Sequence, residues 1–246
     1  MIEDEGILEI IKRPEPISII RLGDGEMGVL NGYRDPANYT RILVRQLGVS
    51  PSFLDAGRIR ENLIEAINGA DVLGLPFGKE KHGGYWANWQ KLLDEFAPVW
   101  REKKQTYIDI NNHFLDKSYF DEILQGIETL NYIGCRPLDY EFERRYGIKN
   151  VKSYIIAPEM AFTSGYEGKT HFPKQYDEIN GWLHENRFDG QLCLVAAGFT
   201  GKIYCNWFRD AGGRAFDVGN VMDLWAGKAT RGPGRGRDAE NNEFKL

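Results

Sequence analysis

Two acidic residues separated by one glycine, Asp24 and Glu26, sit in the run SIIRLGDGEMGVL at Ser18 to Leu30. Carboxylate oxygens are the ligands that hard divalent cations take, and Mg²⁺ or Mn²⁺ held by one or two of them keeps positions open for phosphate and water. Paired acids at the carboxyl end of an apolar strand are therefore suited to holding such a cation against a diphosphate. Gly23 and Gly25 allow positive φ and a close approach of backbone to ligand, so both acids are expected to face one point. Arg21, just ahead of them, can pair with the acids or grip a phosphate through two parallel hydrogen bonds. The same residues also suit an ordinary glycine turn whose acids cap the next helix.

A second cluster lies in QLCLVAAGFTGKIYCNWFRDAGGRAFDVG, which has the order strand, glycine turn, helix, strand. Gly198, Thr200 and Gly201 fall where that helix begins. Its free N–H groups and positive dipole end, with Lys202 adjacent, form a candidate phosphate contact. The run matches neither the G-x-G-x-x-G fingerprint nor the Walker pattern, and glycines after a strand also serve plain packing. Asp217 ends the following strand and in a regular parallel sheet reaches the same edge, either as a contact for a ribose hydroxyl or the acceptor, or as a loop cap.

Two further polar stretches follow strands. Lys79, Lys81 and His82 stand between glycines as a cationic flap or a solvated loop. Asp109, Asn111, Asn112 and His113 are placed to orient sugar hydroxyls, although a lone histidine is more often structural. No arrangement of histidine or cysteine forms a triad or a zinc site, which disfavours a serine or cysteine nucleophile.

Positioning these groups requires strands, and β-branched runs are found at 17–21, 71–75, 106–110, 130–134, 153–156, 192–196 and 215–218. Amphipathic segments alternate with them, the pattern of an α/β fold with a mostly parallel sheet and helices on both faces. Asp55 is expected to cap a helix carrying Ile59, Leu63, Ile64 and Ile67 on one side. The stripe Trp86, Trp89, Leu92, Leu93 and Phe96 predicts a core-facing helix over 85–103 whose first turn borders the site. Helices are also expected over 116–126, 139–146, 176–186 and 201–209. One domain is expected to run to residue 225, with 226–246 a loose tail rich in Gly and Arg.

With 246 residues, 42% of them hydrophobic, the chain can bury a full core. Its net charge is only −5 and its Lys and Arg residues are scattered, so no nucleic-acid footprint is expected. Cys135, Cys193 and Cys205 form neither a C-x-x-C pair nor a disulfide framework and read as reduced thiols. The N-terminus is acidic and amphipathic, and no stretch has the length of a membrane span. A cytoplasmic protein is expected, with self-association left open.

The segments RLGDGEMGVL, YIIAPEMAF followed by YDEINGWL, and LCLVAAGFTGKIY with AFDVGNVMDLW stand in one order across Ser18 to Trp225. In these the chain resembles the GT-D type glycosyltransferases. The resemblance implies a single Rossmann-like domain, a D-x-E motif that holds Mn²⁺ or Mg²⁺, and a nucleotide-sugar donor, often UDP-glucose. The implied acceptor is a glycan, a glycoprotein or a glycolipid. It places the metal-binding acids on Asp24 and Glu26, the preceding arginine on Arg21, the late glycine and threonine on Gly198 and Thr200, and the last strand's aspartate on Asp217. Two departures stand out: Asn220 occupies the place of the histidine in the family's D-I-G-H, and CRPLDYEFERRYGI differs from its glycine-rich V-E-G-type run. Chemistry of this kind stabilises the departing diphosphate electrostatically and needs no protein nucleophile. A carboxylate would serve as base in an inverting reaction, with Glu159 and Asp217 as candidates. A metal-dependent phosphohydrolase or nucleotidyltransferase, or a non-catalytic nucleotide-sugar-binding module, are the alternatives.

Overall fold

The structure, a computed structural model, describes residues 4–32, 34–77, 84–110, 117–159 and 170–228. Its strands are β1 (Ile17–Arg21), β2 (Val72–Leu75), β3 (Lys104–Tyr107), β4 (Thr129–Gly134), β5 (Asn150–Ile155), β6 (Leu192–Ala196) and β7 (Arg214–Asp217). They form a single seven-stranded sheet in the order β3-β2-β1-β7-β6-β4-β5, parallel at every pairing. The helices are α1 (Asp4–Lys12), α2 (Asp24–Leu30), α3 (Pro36–Leu47), α4 (Phe53–Gly69), α5 (Tyr85–Phe96), α6 (Lys117–Leu124), α7 (Asp139–Tyr146), α8 (Tyr176–Glu185), α9 (Thr200–Asp210) and α10 (Val221–Trp225).

Parallel strands must be covered on both faces, because each crossover lays a helix against the sheet. Two apolar clusters do so here. Residues of α3, α4, α5, α8 and α9, such as Leu43, Ile59, Trp89, Ile179 and Ile203, cover one face. Residues of α1, α6, α7 and α10, such as Ile7, Phe120, Phe142 and Trp225, cover the other. The expected α/β architecture with helices on both faces is what the chain adopts. Chain direction across the sheet reverses between β1 and β7: β1 leads outward to β2, whereas β7 is reached from β6. A crevice at the carboxyl ends of the strands is the expected result of such a reversal.

Several boundaries differ from the expectation for identifiable reasons. Ser52, not Asp55, caps α4: its hydroxyl oxygen accepts the Asp55 N–H at 3.2 Å, and Asp55 lies in the first turn. The helix expected over 85–103 stops at Phe96, because Pro98 cannot continue it and restricts Ala97 before it. Asp109 lies in a turn beyond β3 rather than within the strand. Lys79, Lys81, His82, Asn111, Asn112, His113 and the tail from residue 229 lie outside the described residues.

The α3 helix was not anticipated, although its signals are local. Asp35 accepts the Asn38 N–H at 3.1 Å as a cap, Pro36 opens the first turn, and Gly48 at φ +80° ends it in the left-handed region. Ile42, Leu43 and Leu47 bury one side, which turns Arg41, Arg45 and Gln46 towards the crevice.

Candidate active site at the ends of β1 and β7

A cavity of about 750 Å³ opens along the carboxyl edge of the sheet, within the size range of small-molecule sites. Its lining brings together Arg21, Gly23, Asp24, Gly25, Glu26, Gly198, Lys202 and Asp217, residues from three separate parts of the chain. Thr200 is buried beneath it.

Asp24 and Glu26 occupy the first turn of α2 rather than a free-standing turn. Gly23 caps that helix in an extended conformation at φ −122°, and neither Gly23 nor Gly25 takes the positive φ expected of it. What Gly25 supplies is space: a Cβ there would come within 2.9 Å of the Gln46 side-chain amide. The two acids also differ in exposure. Asp24 is exposed at the rim and accepts a hydrogen bond from the Tyr85 hydroxyl at 2.7 Å. Burial, followed by that bond to Asp24, pushes the Tyr85 phenol well above its usual pKa, so the hydroxyl stays a donor. Glu26 is 4% exposed and reaches back to accept the Gly23 N–H at 2.7 Å, satisfying one of the unpaired donors at the helix start. Negative charge in this turn also suits the α2 dipole.

Behind Glu26 is a chain of alternating charges. Lys202 Nζ lies 3.0 Å from Glu26 Oε1 and 2.9 Å from Asp217 Oδ2, and donates to the Gly198 carbonyl at 3.1 Å. Arg21 closes the chain: its Nε donates to the Asp217 carbonyl at 2.9 Å and lies 3.4 Å from the Asp217 carboxylate, while Nη1 donates to the Ile108 carbonyl at 3.3 Å. Burial alone would raise the pKa of Asp217, but Arg21 and Lys202 outweigh it and hold the carboxyl below its ordinary value. For Lys202 burial works against the charged form, and Asp217 and Glu26 overcome it, leaving the amine above its ordinary value. Gly219 completes the packing: at φ +56° it favours glycine, and a Cβ would lie 2.1 Å from Arg21 Nη2.

The second glycine turn is engaged internally. Gln46 Oε1 accepts the Phe199 N–H at 2.8 Å, at the point where a phosphate was expected. The Thr200 hydroxyl, 1% exposed, donates to the Ala197 carbonyl at 2.7 Å. Asp217 is fully buried, so the expected contact with a ribose or acceptor hydroxyl becomes an internal pairing. Arg21 pairs with Asp217 rather than with Asp24 or Glu26. Gln46 reaches Phe199 and Asp217 reaches Arg21 from distant parts of the chain, whereas the Thr200 contact is local.

Tyr85, Gln46, Arg41 and Arg45 belong to the site without having been singled out by type or spacing. Glu159, a candidate base, lines the cavity and lies 3.0 Å from Arg45 Nη2. Asn220 also lines it, at the start of α10. His171 is buried and shares a 2.6 Å hydrogen bond with the Tyr204 hydroxyl, and burial lowers its pKa to about 4, so its ring is neutral.

A GT-D-like family, described as a GT-D fold-like domain, matches residues 5–225. The chain belongs to the GT-D-like family, a glycosyltransferase class. Solved structures agree on the fold. A structure described as a new glycosyltransferase from Streptococcus sanguinis, containing domain of unknown function 1792, is 18% identical, covering 98% of this chain and 90% of its own, with a TM-score of 0.55. A second, described as showing that this domain has a distinct glycosyltransferase fold, is 15% identical over 99% of this chain and 88% of its own, at 0.54. No curated protein matches the GT-D-like chain in sequence. No helix among the described residues is long and apolar enough to cross a membrane.

Proposed function

We propose that this GT-D-like glycosyltransferase is metal-dependent and moves a hexose, glucose in the first instance, from a UDP-linked donor to a glycan or glycoconjugate acceptor. The observation that carries the reading is the meeting of Asp24 and Glu26 in one cavity at the β1/β7 reversal. The donor set is compatible with Mn²⁺ or Mg²⁺. Among the described residues no group of three or more His, Cys, Asp or Glu forms a cation cage. Two carboxylates, with substrate phosphate and water supplying the other oxygens, is the arrangement that Mg²⁺ commonly accepts. Asp24 and Glu26 would hold the ion, which when bound supplies positive charge to stabilise the departing diphosphate.

The chain's own groups contribute orientation and electrostatics. Tyr85 fixes the Asp24 carboxylate through its hydroxyl. Gly25 leaves room for the Gln46 side-chain amide against α2. Arg41, Arg45 and Arg136 line the same cavity, Arg45 paired with Glu159 and Arg136 with Asp223, and guanidinium groups there suit the anionic parts of a nucleotide. Glu159 is the better placed of the two base candidates, because Asp217 is fully buried between Arg21 and Lys202. The free thiols suit a reducing cytoplasm.

Incubation with UDP-glucose, Mn²⁺ and a mixture of glycan acceptors tests the proposal. Metal-stimulated appearance of glucose on an acceptor is expected. Release of inorganic phosphate without transfer would instead mark a phosphohydrolase, and metal-dependent binding of UDP without turnover a binding module.

A further inference from the structure

Lys202 is the residue whose surroundings differ most from the role its position suggests. A lysine beside a glycine turn at a helix start reads as a phosphate ligand. In the structure Lys202 lines the cavity with its ammonium set among protein oxygens. An ammonium has three N–H donors and no acceptor, and Lys202 Nζ has three oxygen partners within about hydrogen-bond distance: Glu26 Oε1 at 3.0 Å, Asp217 Oδ2 at 2.9 Å and the Gly198 carbonyl at 3.1 Å. The residue is 5% exposed. Two carboxylates and a carbonyl thus enclose the ammonium.

We propose that Lys202 is a positioning residue that holds the Glu26 carboxylate in place for the cation, and that it does not contact the donor phosphates. Three observations converge on this. Glu26 is fixed from two sides, by Lys202 at one oxygen and by the Gly23 N–H at 2.7 Å at the other, which sets both its rotamer and the plane of its carboxylate. Lys202 is itself anchored on Asp217, whose carboxylate is anchored in turn by Arg21, so the orientation of Glu26 is tied to β7. The Gly198 carbonyl ties the same ammonium to the second glycine turn. Outer groups of this kind orient the ligands of a metal and are needed for full affinity. Among the described residues Asp24 has no such lysine, and its anchor is the neutral Tyr85 hydroxyl.

The proposal rests on the metal reading above, so its test separates the two. Lys202→Met, Glu26→Gln and the double variant are made in the full chain. Mn²⁺ uptake by donor-free protein is followed from the electron paramagnetic resonance of the free ion. UDP binding without metal is measured by calorimetry, and thermal unfolding is recorded for the complete cycle. Lys202→Met is expected to weaken Mn²⁺ uptake by about 10- to 100-fold and to leave metal-free UDP binding unchanged. The two substitutions are expected to be strongly non-additive in unfolding, because removal of Glu26's charge relieves what removal of Lys202 leaves uncompensated. Wild-type Mn²⁺ uptake in Lys202→Met with weakened UDP binding would overturn the proposal and make Lys202 a phosphate ligand. Additivity in the cycle would also overturn it. If the wild-type protein takes up no Mn²⁺, the metal reading fails, and the cycle alone decides whether Lys202 holds Glu26. If Lys202→Met does not fold, rescue by Glu26→Gln supports the pairing and its failure to rescue overturns it.

Discussion

The two glycine turns at the sheet edge have similar sequences and different fates. Each follows an apolar strand and opens a helix: Gly23 to Glu26 after β1, and Gly198 to Lys202 after β6. At the first, Asp24 stands exposed at the cavity rim. At the second, the Phe199 N–H is taken by Gln46, the Thr200 hydroxyl by a local carbonyl and the Lys202 ammonium by two buried acids. A helix start offers unpaired N–H groups in either case. Whether a ligand or the protein itself satisfies them depends on what packs opposite, and here α3 delivers Gln46 to the second turn. At the first turn Asp24 is exposed on the cavity while Glu26 takes the Gly23 N–H, and Lys202 of the second turn pairs with Glu26.

The largest effect expected from this contrast is at the first turn. Asp24→Ala should lower metal-stimulated sugar transfer by about 1,000-fold, the loss of several kcal/mol of charge stabilisation, with the fold retained by circular dichroism because Asp24 is exposed. Full metal-stimulated activity in that variant would remove the assignment of the site.

A second expectation concerns the helix of the second turn, α9, where His171 contacts Tyr204. Its folded pKa, about 4, is depressed by burial below the ordinary 6.5. The unfolded chain therefore binds the proton more readily, and stability present above pH 6.5 is lost as pH falls towards 4. The shift corresponds to on the order of 3 kcal/mol. Urea unfolding across this window should show the decline, and His171→Phe should flatten it.

Gln46→Ala asks whether the second turn is truly internal. Leaving the Phe199 N–H without its partner should cost about 1–3 kcal/mol of stability, read by chemical denaturation, while sugar transfer persists in the folded fraction. A collapse of transfer matching that of Asp24→Ala would instead place a substrate contact at this turn. The smallest effect is expected for Tyr85→Phe, which removes one hydrogen bond to Asp24. A loss of about 0.5–1.5 kcal/mol should appear as a several-fold rise in the Mn²⁺ concentration needed for half-maximal transfer.

Much of the architecture was legible along the chain. Runs such as 192–196 and 17–21 coincide with β6 and β1, and the helix expected over 139–146 coincides with α7, because apolar periodicity and bounding glycines are local signals. The α3 helix shows a legible feature left unread: Asp35, Pro36 and Gly48 bracket it. The sheet order was not legible, since β4 lies between β5 and β6 and β1 beside β7 through contacts distant in sequence. At the candidate site, the residue types were visible in the sequence, and their partners were not. Lys202 is 176 positions from Glu26 along the chain, and no local pattern announces that pairing.

Composition and periodicity by themselves determined an α/β chain with acids on a glycine-bounded strand end, because propensity, capping and hydrophobic spacing act over a few residues. Tertiary structure alone decided that Asp24 faces the cavity while Glu26 lies buried against Lys202, and that Gln46 fills the second turn. A charged or polar group takes its role from whatever compensates it, and compensation for a buried charge must come from the groups that folding brings into contact.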